Sequence, residues 1–194
     1  MTTWNNAKVK ECKLVAAGTG AFSTTLDNAA AADASVPGGS TLVRLPSTAH
    51  GFAVGSMLEI LGSTNYDATL ALPAVATNTF DVYGDYVAET FAGTETVRIV
   101  LSSGYPFELL EVKLDITGAA PTTAENLTIT RDAAAGAYWD GLVRAKPMAG
   151  VTNWEWNIRD TPLRYNADDK LIFAWANSDG KTWGLEVIYG RMGG

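Results

Sequence analysis

Short runs of β-branched and aromatic residues, separated by turn residues roughly every 8 to 14 positions, restrict the fold of this chain most strongly. The clearest run follows Phe107, where one set of alternate positions is apolar and the other is charged. The apolar set is Leu110, Val112, Leu114 and Ile116, and the charged set is Glu111, Lys113 and Asp115. Because successive side chains of a strand point to opposite faces, this run predicts a strand with one buried and one hydrated face. The chain is therefore predicted to be all-β.

The strand pattern predicts two β units that follow an N-terminal segment. Residues 41–101 contain about five short strands and are expected to form a small β-barrel or a compact sheet module. Glycine and proline interrupt residues 102–106, so we place a linker there. Residues 107–194 are expected to form a jelly-roll-like antiparallel β-sandwich. Residues 1–40 are expected to be an arm or a partly ordered anchoring segment.

The last two strands are predicted at residues 170–176 and 182–189. They are separated by Asn177-Ser178-Asp179-Gly180, in which glycine can supply the positive φ of a tight turn. We therefore expect these two strands to pair as a β-hairpin. Another strand is predicted at residues 139–145.

Charge and composition argue against several classes of protein. The net charge of −7 disfavours a general nucleic-acid binder, which normally carries a basic surface. No apolar run approaches the roughly 20 residues of a membrane-spanning helix, and the first residues lack the apolar core of a secretory signal. The single cysteine, Cys12, predicts a fold held by packing rather than by a disulfide. We expect neither nucleic acid nor a membrane as a partner.

The polar residues do not form a recognisable catalytic or metal-binding motif. His50 is the only histidine, and neither it nor Cys12 has a supporting motif for nucleophilic catalysis. Asp168-Asp169 is expected to be a solvated turn, and Gly18-Thr19-Gly20 a turn, because it lacks the lysine of a phosphate loop. Five carboxylates on the predicted strands are expected to form an exposed polar face: Glu108, Glu111, Asp115, Glu155 and Glu186. No enzymatic activity, cofactor or metal is predicted.

Tryptophan is concentrated in the C-terminal part of the chain. Trp139, Trp154, Trp156, Trp175 and Trp183 lie within or beside predicted strands. Packing in the core or between subunits is the favoured interpretation, and a protein interface or a carbohydrate contact are the alternatives. The candidate interface residues are Trp4, Trp139, Trp154 and Trp156.

Two regions of the sequence resemble structural proteins of tailed-phage and prophage particles. The first contains STAHGFAVG (residues 47–55) and GSTNYD (62–67), and it resembles a small β module that recurs in these virions. The second contains ENLTITRD (125–132), AYWD (137–140) and FAWANSDGKTWGLEV (173–187), and it resembles their β-sandwich domain. Residues 1–40 carry no such resemblance, and the family offers no catalytic residues to transfer.

The resemblance implies a virion structural protein that is assembled in the cytoplasm of a bacterial host. A capsid decoration (cement) protein or a head-fibre protein is the first expectation, and a tail, neck or baseplate component is the alternative. Its expected partners are the major capsid protein or other virion proteins, together with further copies of itself, with a trimer as the first expectation. A carbohydrate-binding or glycan-active β-sandwich module is the alternative from another class.

Overall fold

The computed structural model describes residues 10–37 and 39–192, and their regular structure is almost entirely β-strand. The one helix among them is a three-residue 3-10 turn, Ala137–Trp139, far too short to span a membrane. The strands are β1 (Lys10–Gly18), β2 (Ser23–Thr25), β3 (Ala32–Asp33), β4 (Leu42–Pro46), β5 (Met57–Leu61), β6 (Ala68–Ala71), β7 (Ala74–Ala76), β8 (Thr79–Tyr83), β9 (Thr96–Ser102), β10 (Phe107–Thr117), β11 (Asn126–Asp132), β12 (Gly141–Pro147), β13 (Asn153–Asn157), β14 (Leu163–Tyr165), β15 (Lys170–Ala174) and β16 (Thr182–Arg191). The all-β prediction is confirmed.

These strands form three open antiparallel sheets. Sheet A has the order β1-β16-β10-β13, and β14 pairs with a different part of β10. Sheet B has the order β12-β11-β15-β9-β5-β6, with β2 beside β9, and sheet C has the order β3-β4-β8-β7. Residues 41–101 contribute to sheets B and C, neither of which is closed into a barrel. This region was predicted to form either a small β-barrel or a compact sheet module, and the structure shows open sheets.

Sheets A and B pack face to face as a β-sandwich. Val112 from sheet A and Phe173 from sheet B are fully buried and belong to one continuous hydrophobic cluster. Phe22 lies between the sheets, with its ring centroid 4.3 Å from that of Trp183 and 5.7 Å from that of Trp175. Alternate apolar positions thus bury one face of each sheet against the other.

A β-bulge changes which residues of β10 face the core. Leu109 pairs with Tyr189, but Glu111 pairs with the adjacent Ile188, so Leu110 is an extra residue in β10. Phe107 and Leu109 consequently join the buried row that continues at Val112, whereas the sequence pattern placed Leu110 in that row.

The predicted hairpin between the last two strands is wrong. β15 pairs with β11 and β9 in sheet B, whereas β16 pairs with β1 and β10 in sheet A. Both strands have neighbours on each side within their own sheets, so neither has a free edge for the other. The turn residues instead carry the chain from one sheet to the other. Asn177 secures this crossing, because its Nδ2 donates to the Gly20 carbonyl at 3.0 Å and its Oδ1 accepts from Lys181 N at 2.9 Å.

Strand pairing also crosses the predicted segment boundaries. Within the expected N-terminal segment, β1 pairs along its whole length with β16, from Lys10↔Arg191 to Gly18↔Trp183, while residues 1–9 lie outside the described residues. Of the predicted linker 102–106, Ser102 ends β9 of sheet B and pairs with Lys170 of β15, while residues 103–106 connect β9 to β10 of sheet A. The division into separate folding units stays a prediction, but main-chain hydrogen bonds between strands join the predicted segments.

Three glycines allow two loops to approach closely at one end of the sandwich. Thr19 N donates to the carbonyl of Gly51 at 2.8 Å, which fastens the Gly18–Gly20 segment to the loop after β4. A Cβ on Gly51 would overlap the main-chain nitrogen of Gly20, and a Cβ on Gly18 would overlap the Gly51 carbonyl. Gly51 also has a φ of 71°, which favours glycine. Gly18-Thr19-Gly20 is therefore a packing junction between loops.

Candidate interaction surface

His50 has a structural role in the loop between β4 and β5. Its Nδ1 accepts a hydrogen bond from Phe52 N at 3.0 Å, and its Nε2 lies 2.8 Å from the Ala76 carbonyl and 3.2 Å from the Thr79 carbonyl. Carbonyl oxygens only accept, so the ring hydrogen is on Nε2. Both nitrogens are thus engaged by main chain, and the buried ring fastens its loop to β7 and β8.

His50 lines a surface cleft that is larger than a second cleft beside Trp139. This cleft has a volume of about 720 Å³ and lies between residues 17–19, 49–54, 75–77 and 182–183. His50 is the one ionisable side chain in its lining, which otherwise consists of apolar groups, main chain and threonine. The larger cleft therefore offers shape but no charged group to orient a ligand.

The carboxylates on the strands of sheet A are largely paired with cations. Glu108 accepts a hydrogen bond from Arg164 Nε at 2.7 Å, and Glu111 pairs with Lys113 at 2.9 Å and with Arg159 at 3.1 Å. The hydrogen bond from Lys113, together with that from Arg159, lowers the pKa of Glu111 in spite of its burial. Both carboxylates are buried, so the expectation of an exposed face is wrong for them. Arginine side chains from neighbouring segments cover them.

Asp169 also differs from the expected solvated turn. It is fully buried and accepts hydrogen bonds from Asn166 N at 2.9 Å, Ala134 N at 3.0 Å and Arg131 at 2.7 Å. Burial raises its pKa, but these hydrogen bonds more than offset that effect and leave the pKa lowered. Asp169 thus organises the loop before β15. Within the described part of the chain, no three His, Cys, Asp or Glu side chains are grouped to hold a metal ion.

The candidate tryptophans occupy different environments. Trp139 ends the 3-10 turn and is 64% exposed. Trp154 and Trp156 lie two residues apart on β13, are half-buried, and stack with ring centroids 6.4 Å apart. Trp4 lies outside the described residues. Of the candidates that the structure describes, Trp139 therefore presents most of its ring to solvent.

Trp139 lies where the two edges of the sandwich leave an opening. β12 is an edge strand of sheet B and β13 is an edge strand of sheet A. These edges face one another, because the Arg144 guanidinium of β12 lies 5.4 Å from the centroid of the Trp156 ring of β13. We call the surface between them the open-edge groove, which consists of Trp139, Leu142, Arg144, Lys146, Trp156 and Leu163.

A cleft of about 420 Å³ forms one end of the open-edge groove, and its lining includes Trp139, Leu142, Leu163 and Tyr165. Tyr165 stacks on Phe107 at 5.0 Å, and burial raises its pKa to about 12, so its hydroxyl is neutral at ordinary pH. Exposed apolar side chains surround a largely buried tyrosine here.

The open-edge groove also carries cations that have no carboxylate partner. Arg131 and Arg164 line the cleft, but they pair with Asp169 and Glu108 respectively. Arg144 and Lys146 form no ion pair with any described residue. In a chain with a net charge of −7, this is a local concentration of available positive charge.

Only part of this surface is predictable from the sequence. Arg144 lies within the strand predicted at residues 139–145, but nothing in the strand pattern showed that its neighbour Trp156 is on another sheet. The observed strand begins later, at Gly141, which leaves Trp139 in the preceding turn. The signal that could have indicated the surface is the sequence Ala137-Tyr138-Trp139, in which two large aromatic residues lie between Gly136 and Gly141.

The arrangement of the open-edge groove is suited to binding. Aromatic rings, exposed apolar side chains and available cations lie together at the edges of the two sheets, as at many protein interfaces. Compared with known proteins, the chain matches no family model, no curated protein and no solved structure.

Proposed function

We propose that this protein is a structural component of a tailed-phage particle that decorates the capsid or contributes to a head fibre. The observation that carries the proposal is the exposure of large apolar side chains at the open-edge groove and beside it. Tyr138 is 102% exposed, and Trp139 and Leu142 are each 64% exposed. Clustered exposure of this kind is typical of surfaces that bind another protein.

The β-sandwich suits a role that depends on many repeated contacts. A particle surface presents the same site many times, so modest contacts by each copy add up when copies are linked. The proposed partners are the major capsid protein or another virion protein, together with further copies of this chain in a trimer. The resemblance of residues 46–98 and 125–187 to virion structural proteins supports the same setting, in which the chain assembles in the bacterial cytoplasm.

Binding to particles provides the test. The purified chain is mixed with particles that lack it and is then sedimented, and we expect it to be recovered with the particles. The double variant Trp139→Ala, Leu142→Ser should bind about tenfold or more weakly, because aromatic anchors dominate such interfaces. Tyr86→Ala is the matched control, since Tyr86 is 42% exposed but lies outside the open-edge groove. Failure of the wild-type chain to bind any particle would refute the proposal.

Imaging distinguishes the two positions on the particle. Gold-labelled chain on heads would support decoration or a head fibre, whereas label confined to tails would make the chain a tail, neck or baseplate component. The exposed ring of Trp139 also favours one candidate of another class, a carbohydrate-binding module, because aromatic faces stack on sugars. Oligosaccharide binding that Trp139→Ala abolishes, together with no particle binding, would replace the virion proposal.

A further inference from the structure

We propose that β12 is a docking edge, to which an extended acidic segment of a partner protein adds as a further strand of sheet B. The carboxylates of that segment would lie beside Arg144 and Lys146. The inference rests on the proposed function for the identity of the partner as a particle protein. The chemistry of the docking edge follows from the structure of the groove alone.

One edge of β12 is free of any strand of the described residues. This seven-residue strand pairs with β11 on one side, and no strand of residues 10–37 or 39–192 pairs with its other side. Gly141, Leu142, Arg144 and Ala145 are exposed. An exposed edge presents unpaired main-chain donors and acceptors, and extended peptides commonly bind such an edge by completing its hydrogen bonds.

The free edge of β12 also carries positive charge. Arg144 and Lys146 are two positions apart, so they project from the same face of β12. Neither has a carboxylate partner among the described residues, and the position of Arg144 over the Trp156 ring holds its guanidinium in the groove. A strand added alongside presents alternate side chains to this face, and acidic residues at those positions would be opposite the two cations.

Charge also disfavours pairing of β12 with the β12 of a second copy. An antiparallel two-fold pairing would place Arg144 and Lys146 of both copies on the same face of the joined sheet, and like charges in facing positions are destabilising. An acidic partner segment instead neutralises these cations. Leu142 and Trp139, which line the cleft at the start of β12, provide an apolar contact at one end of the segment. Arg144 pairs with Ile129 and Leu142 with Thr130, so Val143 is an extra residue and Leu142 projects from the face opposite to that of Arg144 and Lys146. A partner that alternates acidic and apolar residues therefore matches this edge, with acidic residues beside the two cations and apolar residues beside Leu142.

The test uses designed peptides with the full chain. The probes are a nonapeptide of alternating valine and glutamate, its valine–lysine counterpart, and a glutamate version that is N-methylated at alternate residues. Binding is followed by changes in amide NMR signals and by hydrogen exchange. We expect the glutamate peptide to bind at least tenfold more tightly than the lysine peptide and to slow exchange across residues 141–147. N-methylation should weaken binding at least tenfold, because it removes main-chain donors.

The charge-reversed variant Arg144→Glu, Lys146→Glu should reverse the peptide preference, so that it binds the lysine peptide more tightly than the glutamate peptide. A near-native amide NMR spectrum of this variant would show that it folds. Lys181→Glu, which changes charge outside the groove, is the control for net charge. Equal binding of the two peptides, no loss on N-methylation, or no binding at millimolar peptide would overturn the docking edge. Peptide binding without particle binding would refute only the proposed function. Unchanged particle binding by the charge-reversed variant would overturn β12 as the attachment edge.

Discussion

Replacing Glu59 with glutamine tests how strongly a buried ionic cluster stabilises the sandwich. Glu59 is 1% exposed and lies on β5, where its carboxylate accepts a hydrogen bond from Arg98 Nε at 2.7 Å and a second from Lys170. Val100 lies on the same face of sheet B, between the two cations, and is fully buried. The cluster thus covers an apolar position on the outward face of the sheet.

The magnitude follows from the exposure of the three groups. Removing one partner of a buried ion pair costs about 3 to 5 kcal/mol, because the other charge loses its compensation. The side chains of Arg98 and Lys170 are 21% and 33% exposed, so water can partly solvate them after the substitution. We therefore expect Glu59→Gln to lower the free energy of unfolding by about 3 kcal/mol, the lower end of that range. For a chain of this length the melting temperature should fall by about 6 to 12 °C.

Glu186→Gln is the matched control, because Glu186 pairs with Lys13 but both side chains are more exposed, at 29% and 53%. An exposed pair contributes about 0.5 kcal/mol and is screened by salt. Urea unfolding of both variants at low and high salt gives the comparison. Equal losses for the two substitutions, or a Glu59→Gln loss that disappears at high salt, would refute the importance of burial.

Two further substitutions test the loop contacts. Gly51→Ala should lower the free energy of unfolding by more than about 3 kcal/mol, because the new Cβ meets main chain. The control Gly118→Ala, also at positive φ but with open space around it, should lower it by about 1 kcal/mol. Similar losses for the two variants in denaturant unfolding would contradict the close approach of the loops. Hydrogen bonds from Thr123 lower the pKa of Asp179 from 3.8 to about 2. Because the folded pKa is the lower one, this stabilisation is present above about pH 4 and is lost as the pH falls toward 2. Asp179→Asn should therefore lower the melting temperature at pH 7 and flatten its pH dependence between about pH 4 and 2, and an unchanged acid profile would count against this role.

Local alternation predicted many of the strands, but it could not predict their partners. The last two strands were recognised because Phe173 and Leu185 each belong to a clear apolar row. Their assignment to a hairpin failed because a turn such as Asn177–Gly180 is compatible with either a hairpin or a crossing between sheets. The choice depends on the neighbours that β11 and β1 provide, and those lie far away in the sequence.

The candidate surface was less accessible to sequence analysis for a similar reason. Trp139 and Trp156 follow comparable patterns, yet Trp139 is mostly exposed while Trp156 is half-buried beneath Arg144. Exposure of a large side chain depends on which edge strands terminate the sheets. Edge positions follow from the whole topology, which single-strand periodicity does not contain.

The pairing of β1 with β16 has a consequence for the synthesis of the chain. These strands meet from opposite ends of the described residues, and β16 also separates β1 from β10 within sheet A. At roughly 5 to 20 residues per second, a ribosome needs on the order of 10 s or more to reach β16 after completing β1. During that interval β1 and one edge of β10 lack β16, the strand that pairs with both. Once β16 emerges, closing the long loop between β1 and β16 adds an entropic cost. The sandwich can therefore close only after β16 has been translated, and the nascent chain is most exposed to aggregation shortly before that step.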